Sequence, residues 1–255
     1  MSEEQFDLVV IGAGPGGYVC AIRAAQLGMK VACVDKRGTF GGTCLNVGCI
    51  PSKALLAASE KFEEAVHHFK DFGIKVGKPS VDLKAMMKHK DGVVNDNVKG
   101  IEFLFKKNKV EGVIGEAKII AKGEVEVTHG KKKRTLKAKN IVIATGSDVA
   151  SLPGIEIDEE RVVSSTGALE LKEIPKSMVV IGGGVIGLEM GAVWSRLGAK
   201  VTVIEYLDRI LPGMDMEVSK TMKKVMEKQG IEFKLSTKVT EVKAAKKSVS
   251  LKCEP

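Results

Sequence analysis

The sequence predicts an α/β fold in which one βαβ plan is used twice, and three observations carry that prediction. Residues 6–11 (FDLVVI) are an apolar, β-branched run leading into Gly12-Ala13-Gly14-Pro15-Gly16-Gly17, a helix, a second apolar run and Asp35. Residues 177–181 (SMVVI) lead in the same way into Gly182-Gly183-Gly184-Val185-Ile186-Gly187, a helix, a run over 200–204 and Glu205. Between them, residues 110–128 form short alternating runs broken by glycines, which read as a small antiparallel meander appended to a parallel sheet. Continuous apolar strands suit parallel sheets covered on both faces. The prediction is therefore two Rossmann-like domains, residues 1–150 and 151–255, the second incomplete at the chain's end.

Each glycine turn has a chemical reason. In a GxGxxG turn between strand and helix, the first glycine permits the tight turn and the second lets a pyrophosphate approach the backbone. The third lets helix and strand pack closely. Gly12, Gly14 and Gly17 fill these places in the first repeat, and Gly182, Gly184 and Gly187 in the second. The acid follows the middle glycine by the same interval, 35 − 14 = 21 and 205 − 184 = 21 residues, which suits acceptance of a hydrogen bond from a ribose. Two such turns mean two dinucleotides, or one dinucleotide and an internal duplication. Glu205 would repel a 2′-phosphate, and Tyr206, Leu207 and Asp208 follow it before Arg209, so the second turn favours NAD.

After the first acid comes Gly41-Gly42-Thr43-Cys44-Leu45-Asn46-Val47-Gly48-Cys49-Ile50-Pro51-Ser52-Lys53. In a regular helix, residues five apart have Cα atoms roughly 8–9 Å apart. A disulfide needs them closer than about 7 Å. If Cys44 and Cys49 pair, the helix between them is distorted, and Gly48 is placed to allow it. A redox pair at a helix start and two small packed cysteines both remain open at this point. A helix is expected from Lys53 to about residue 69, with His67 and His68 exposed near its end rather than ligating a metal, for which no further ligands stand nearby.

Residues 73–79 read as a loop and 81–107 as a long helix with a charged face, its Met86 and Met87 filling a core. Residues 140–147 (NIVIATGS) read as a buried apolar strand ending in a small-residue turn, where ligands sit in open α/β sheets. Pro153-Gly154 opens a linker. Beyond the second acid, residues 218–229 are an amphipathic helix, and 231–235, 237–242 and the alternation from Val249 are strands.

Composition narrows the class. Aromatics are 4%, too sparse for a stacking surface on single-stranded nucleic acid. The net charge of +8 includes Lys131-Lys132-Lys133-Arg134, read as a solvated hairpin tip rather than a nucleic-acid patch. The start, Met1-Ser2-Glu3-Glu4-Gln5, is acidic, unlike a signal or Arg-rich transit peptide, and no apolar run reaches the length of a membrane span. Five irregularly spaced cysteines do not form a secreted disulfide framework. A cytoplasmic location is expected, or the mitochondrial matrix for a processed eukaryotic form.

Together the two turns and the Cys-x4-Cys between them resemble the flavin-dependent pyridine nucleotide-disulfide oxidoreductases. The stretch from Gly41 through Lys53 to Ala54-Leu55-Leu56, with 163–169 (VSSTGAL) and 179–189 (VVIGGGVIGLE), is most similar to the dihydrolipoamide dehydrogenases, and less so to glutathione or mercuric reductases. The resemblance implies a redox disulfide between Cys44 and Cys49. Cys44 would exchange with dihydrolipoamide, and Cys49 would lie against the flavin. Lys53 would sit near flavin N5 with Glu189 as its ion-pair partner. FAD would be held by Gly12, Gly14, Gly17, Asp35, Gly41, Gly42, Thr43, Cys44, Lys53, Gly115, Ala144, Thr145, Gly146 and Ser147. NAD would be held by Gly182, Gly184, Val185, Ile186, Gly187, Glu189, Glu205 and Val239. Asp35 stands where the family usually has Glu.

The implied partners are a lipoyl domain, the acyltransferase core of 2-oxo acid dehydrogenase complexes, and a second copy in a homodimer, with no nucleic acid and no membrane. The family's returning FAD segment, its dimerisation domain and the His–Glu acid–base pair within that domain are not matched in these 255 residues, and His67, His68, His89 and His129 fill no such role. A truncated chain is expected. Its alternatives are a noncatalytic FAD- and NAD-binding fragment, a noncatalytic protein that binds the acyltransferase core, or another disulfide reductase.

Overall fold

The computed structural model describes residues 4–245 and 248–255; the acidic start Met1-Ser2-Glu3 lies outside the described residues. The chain divides into two units, Met1–Pro51 with Asp91–Asp148, and Ser52–Lys90 with Val149–Pro255.

In the first unit, β1 (Glu4–Ile11) is the central strand, with β2 (Val31–Asp35) parallel on one side and β6 (Lys132–Ile143) parallel on the other. Outside β2 lies β3 (Glu111–Ile114), also parallel; outside β6 lie β5 (Glu124–His129) and β4 (Glu116–Ala121), antiparallel. The sheet order is β3-β2-β1-β6-β5-β4. Side chains alternate across it. Leu8, Val10, Val31 and Cys33 pack on one face with Ala21 and Ala24 of α1 (Pro15–Gln26) and with Val98, Ile101 and Phe105 of α4 (Leu83–Asn108). Val9, Ile11, Ala32 and Val34 pack on the other with Val125, Val127 and Leu136 of the meander. Two covered faces explain why residues 8–11 of β1 and 31–34 of β2 read as unbroken apolar runs.

Two expectations need correction here. Residues 111–114 belong to the parallel sheet beside β2, not to the meander, which is built from β4, β5 and β6 alone. The strand expected over 140–147 is the last third of a longer strand and ends at Ile143. Its first half pairs with β5 and its second half with β1, so one strand splices the meander onto the parallel sheet. Beyond Lys137 it has lost β5 as a neighbour, and Ile143 is 67% exposed rather than buried. The basic run does lie at the β5–β6 hairpin. There Lys133 pairs with Glu126 at 3.1 Å and Arg134 with Glu111 at 2.5 Å.

The cysteine stretch folds as α2 (Gly42–Val47), a break at Gly48, and α3 (Cys49–His67). The break is steric as well as conformational. A Cβ on Gly48 would stand 2.9 Å from the Thr43 carbonyl oxygen. The helix ends at His67, and residues 69–72 continue as a short 3₁₀ turn. His67 and His68 are exposed.

In the second unit, β7 (Ser177–Ile181), β8 (Lys200–Ile204) and β9 (Glu232–Lys234) form a parallel sheet, while β10 (Lys238–Ala244) and β11 (Val249–Glu254) form an antiparallel pair. Its core gathers Leu55 of α3, Met86 and Met87 of α4, and Leu188, Val193 and Trp194 of α6 (Val185–Arg196). Trp194 is fully buried and donates its indole N–H to the Ala168 carbonyl at 3.0 Å, in the short helix α5 (Ser165–Ala168). The helix α7 (Met216–Lys228) is capped by Asp215, which accepts from the Glu217 N–H. Among the described residues, no helix is long and apolar enough to cross a membrane.

Lys90 is 1% exposed, and its ammonium donates to the Leu169 carbonyl at 3.1 Å and pairs with Glu170. Glu170 is mostly in water. The two partners therefore differ in what is left behind when the other is removed. Glu170→Gln leaves a charge buried with weaker compensation and is expected to cost about 1–3 kcal/mol. Lys90→Met removes the buried charge itself and leaves a hydrated carboxylate at Glu170, and is expected to cost less. Urea unfolding followed by Trp194 fluorescence checks this order.

Candidate active site

The first glycine turn is held by the acid at the end of β2. Asp35 is 7% exposed; its Oδ2 accepts from the Ala13 N–H at 2.8 Å and its Oδ1 from the Arg37 N–H at 2.9 Å. The turn closes under the helix, where a Cβ on Gly17 would fall 1.7 Å from the Gly12 carbonyl oxygen. Gly14 caps the N-terminus of α1, with Pro15 at its first position. The cysteine stretch docks on the same turn. The Gly41 N–H donates to the Ala13 carbonyl at 2.8 Å, and a Cβ on Gly42 would stand 2.5 Å from the Gly14 Cα. Gly42 also has φ +59, so only glycine permits this approach. A backbone cradle at a helix N-terminus, kept clear of side chains, fits a pyrophosphate.

The other first-unit residues reach this region through the backbone. The Gly115 N–H donates to the Asp35 carbonyl at 2.9 Å. The Ala144 N–H donates to the Ile11 carbonyl at 2.8 Å, and Ala144 and Thr145 back onto Gly12. Gly146 and Ser147 run on as exposed, irregular backbone. Thr43 and Cys44 lie in the first turn of α2; Cys44 is half-buried, and Cys49, at the start of α3, is exposed.

The second turn repeats the carboxylate latch of the first. Glu205, 8% exposed, accepts from the Gly183 N–H at 2.6 Å and from the Leu207 N–H at 2.8 Å. The Leu211 N–H donates to the Gly183 carbonyl at 2.8 Å, as Gly41 does to Ala13. Gly184 caps α6, Gly187 packs under Gly182, and Val185 and Ile186 are exposed at the helix start. Val239 lies in β10, two residues after Thr237, whose N–H donates to the Glu205 carbonyl at 3.0 Å.

Within the second unit, Lys53 Nζ lies 2.6 and 2.8 Å from the two oxygens of Glu189. Lys53 sits on α3 four residues after Cys49, and Glu189 sits on α6 two residues after Gly187. The ion pair expected from the resemblance is thus formed.

Residues 6–254 match the family of pyridine nucleotide-disulphide oxidoreductases. The chain belongs to this family. It is 55% identical over 253 residues to the mitochondrial dihydrolipoyl dehydrogenase of Pisum sativum, covering 99% of this chain and 50% of that one. Dihydrolipoyl dehydrogenase 3 of Pseudomonas putida is 56% identical, over 99% of this chain and 54% of that one. A leghemoglobin reductase of Vigna unguiculata is also 56% identical, over 99% and 48%. The chain spans about half the length of the curated relatives it matches. Among solved structures, a copper(II) complex of the HOCl-induced flavoprotein disulfide reductase RclA from Escherichia coli superposes with a TM-score of 0.83 at 26% identity, over 100% of this chain and 54% of that one.

For a pyridine nucleotide-disulphide oxidoreductase, sequence reasoning missed two polar side chains at these places. Arg37 Nη2 donates to Thr43 Oγ1 at 3.0 Å. Ser52, 5% exposed, donates to Glu189 Oε2 at 3.3 Å. Ser52 was legible as the neighbour of Lys53; nothing in the sequence marked Arg37 beyond its closeness to the acid.

Beneath the first turn, burial pushes the Cys33 thiol up to about 12, helped by the negative charge of Asp35 and by Cys20. Cys33 is therefore a neutral packing group, distinct in role from Cys44 and Cys49. The unfolded thiol has a pKa of 9.0, below the folded value. Its contribution to stability is thus whole below pH 9 and is lost as the pH climbs from 9 towards 12. The interval is worth at most about 4 kcal/mol. Denaturant titrations at roughly one pH unit either side of the free thiol, about pH 8 and about pH 10, are expected to show stability falling more steeply in the wild type than in Cys33→Ala.

Proposed function

We propose that the chain carries the FAD- and NAD-binding and redox-disulfide portion of a dihydrolipoyl dehydrogenase, which oxidises dihydrolipoamide to lipoamide with NAD as acceptor. One observation supports this above the others: two carboxylate-latched glycine turns of the same construction, the first with a Cys-x4-Cys stretch docked directly on it. The high identity to relatives named dihydrolipoyl dehydrogenase supports the choice of substrate.

In this reading residues 1–150 hold FAD around Gly12, Gly14, Asp35, Gly42 and Thr43, and residues 151–255 hold NAD around Gly182, Gly184, Glu189 and Glu205. Bound FAD supplies the two-electron chemistry that links a dithiol to a nicotinamide. The chain's own residues do the rest. A thiolate of dihydrolipoamide attacks Cys44 Sγ of the Cys44–Cys49 disulfide, forming a mixed disulfide and releasing Cys49 as thiolate. The second substrate thiolate then attacks the substrate sulfur of that mixed disulfide, closing lipoamide and releasing Cys44 as thiolate. Two thiols are oxidised and one disulfide is reduced. Lys53, steadied by Glu189, holds a positive charge one helical turn beyond Cys49, where it favours the anionic form of groups nearby. The partners are a lipoyl domain, the acyltransferase core of a 2-oxo acid dehydrogenase complex and a second copy of the full-length enzyme. The location is the cytoplasm, or the mitochondrial matrix for a processed form.

Purification with added FAD tests the reading. A yellow protein that forms NADH from dihydrolipoamide and NAD is the expected outcome, with turnover lowered at least about a thousandfold by Cys44→Ser or Cys49→Ser. Flavin binding without turnover limits the chain to cofactor binding. A colourless protein that binds neither nucleotide overturns the proposal.

A further inference from the structure

The two repeats share their backbone latches, so any bond present in only one of them marks a task that only one performs. Position 37 in the first repeat corresponds to position 207 in the second, each two residues after the acid, and both donate their N–H to that acid. Position 207 is Leu. Position 37 is Arg, and its guanidinium reaches across to Thr43 Oγ1 at 3.0 Å. The shared bonds fix where the following segment starts: Gly41 on Ala13 in one repeat, Leu211 on Gly183 in the other. The Arg37–Thr43 bond acts further on, in the first turn of α2, at the residue before Cys44. Two further side-chain bonds are internal to the loop. Thr39 Oγ1 donates to Asn46 Oδ1 at 2.9 Å, and Asn46 Nδ2 donates to the Gly42 carbonyl at 2.9 Å.

The chemistry at Thr43 is directional. A hydroxyl accepts and donates, and an arginine can only donate. With Arg37 donating to its oxygen, Thr43 keeps its own proton to give, and a donor already accepting from a cation is strengthened. Thr43 follows Gly42, which packs on Gly14 at the N-terminus of α1, where the cradle for a pyrophosphate lies.

We propose that Arg37 is a positioning residue that joins the ribose-binding acid to the helix carrying Cys44 through the Thr43 hydroxyl, so that FAD binding and the setting of Cys44 depend on each other. This rests on reading the first turn as an FAD site. Its route is short: the Asp35 carboxylate, the Arg37 backbone, the Arg37 guanidinium, Thr43, Cys44.

The test measures two quantities on the reduced full chain. FAD affinity is read from flavin fluorescence. The rate of Cys44 alkylation by iodoacetamide is read by peptide mass spectrometry, with and without FAD. In the wild type, FAD is expected to change the Cys44 rate several-fold. In Arg37→Ala and Thr43→Val, FAD is expected to bind about tenfold more weakly, the size of effect set by one hydrogen bond from a charged donor. At saturating FAD, the change in Cys44 rate is expected to shrink towards one. Thr43→Ser keeps the hydroxyl and is expected to restore both, which a general loss of packing at Thr43 would not do; Arg37→Lys guards against misfolding in Arg37→Ala. An Arg37→Ala chain with wild-type affinity and a wild-type FAD effect on Cys44 overturns the proposal alone. Absence of flavin binding by the wild type overturns the reading of the turn and the proposal with it.

Discussion

A buried carboxylate latched to a glycine turn underlies both halves of this chain. A strand that ends in a tight turn leaves backbone N–H groups pointing inward, and buried N–H groups need acceptors. Asp35 and Glu205 supply them. Each sits at the end of the second strand of its βαβ unit, each is less than a tenth exposed, and each divides its two oxygens between the turn and the residue two positions further on. A buried carboxylate is tolerable because N–H bonds to its charged form offset lost hydration. The latch does not use up the acid. A carboxylate has about four acceptor positions, so a ribose hydroxyl can add to one without breaking the bond to the turn. The same group thus builds the cradle and remains able to read the ligand.

The latch also explains why the repeats tolerate different acids. Asp35 is one methylene shorter than Glu205, yet it makes the same two bonds at similar lengths. What matters is a carboxylate whose two oxygens can span two backbone N–H groups. The corresponding positions are offset by one interval throughout, from 12 to 182, 35 to 205 and 41 to 211, so the common frame survives a wide change in side chains. The frame also shows where the repeats part. Position 41 is Gly at φ +108, leading into α2 and the first cysteine, whereas position 211 is Leu at φ +50, leading towards α7. The shared part makes a nucleotide turn. The unshared part sets the Cys-x4-Cys stretch on the first turn alone.

This division bears on what could be read from residues alone. The turns, their acids and the cysteine stretch were legible because each is a local pattern with a steric or electrostatic reason at fixed spacing. The distortion at Gly48 was legible for the same reason, since i and i+5 in a regular helix stand too far apart. The strand at 140–147 was misread because its exposure depends on where β5 stops pairing, a long-range fact. The strand at 111–114 was misread because its short glycine-broken run matches its antiparallel neighbours, while its partner β2 lies far back in the sequence. Arg37 escaped notice because a lone arginine in a loop has many possible partners, and only the fold brings Thr43 to it. Lys90 escaped because it reads as one more lysine on a helix with a charged face, and only packing selects it for burial.

The Lys53–Glu189 pair shows how the same physics separates stability from function. Lys53 is 58% exposed, and an ion pair so open to water contributes on the order of 0–1 kcal/mol. Stability is therefore a weak reason for its geometry, in which one ammonium meets both carboxylate oxygens. Glu189 is better covered, and on its inner side Ser52 donates to the oxygen that Lys53 also engages. The carboxylate is thus fixed from the protein side while the ammonium stays towards solvent. Such an arrangement spends little on burying charge and still holds a cation within a narrow range of positions, on the helix that begins with Cys49. A cation that must act on a neighbouring thiolate or cofactor needs that kind of placement. Burial of the kind Lys90 receives would instead add a desolvation cost that the attraction within the pair need not repay.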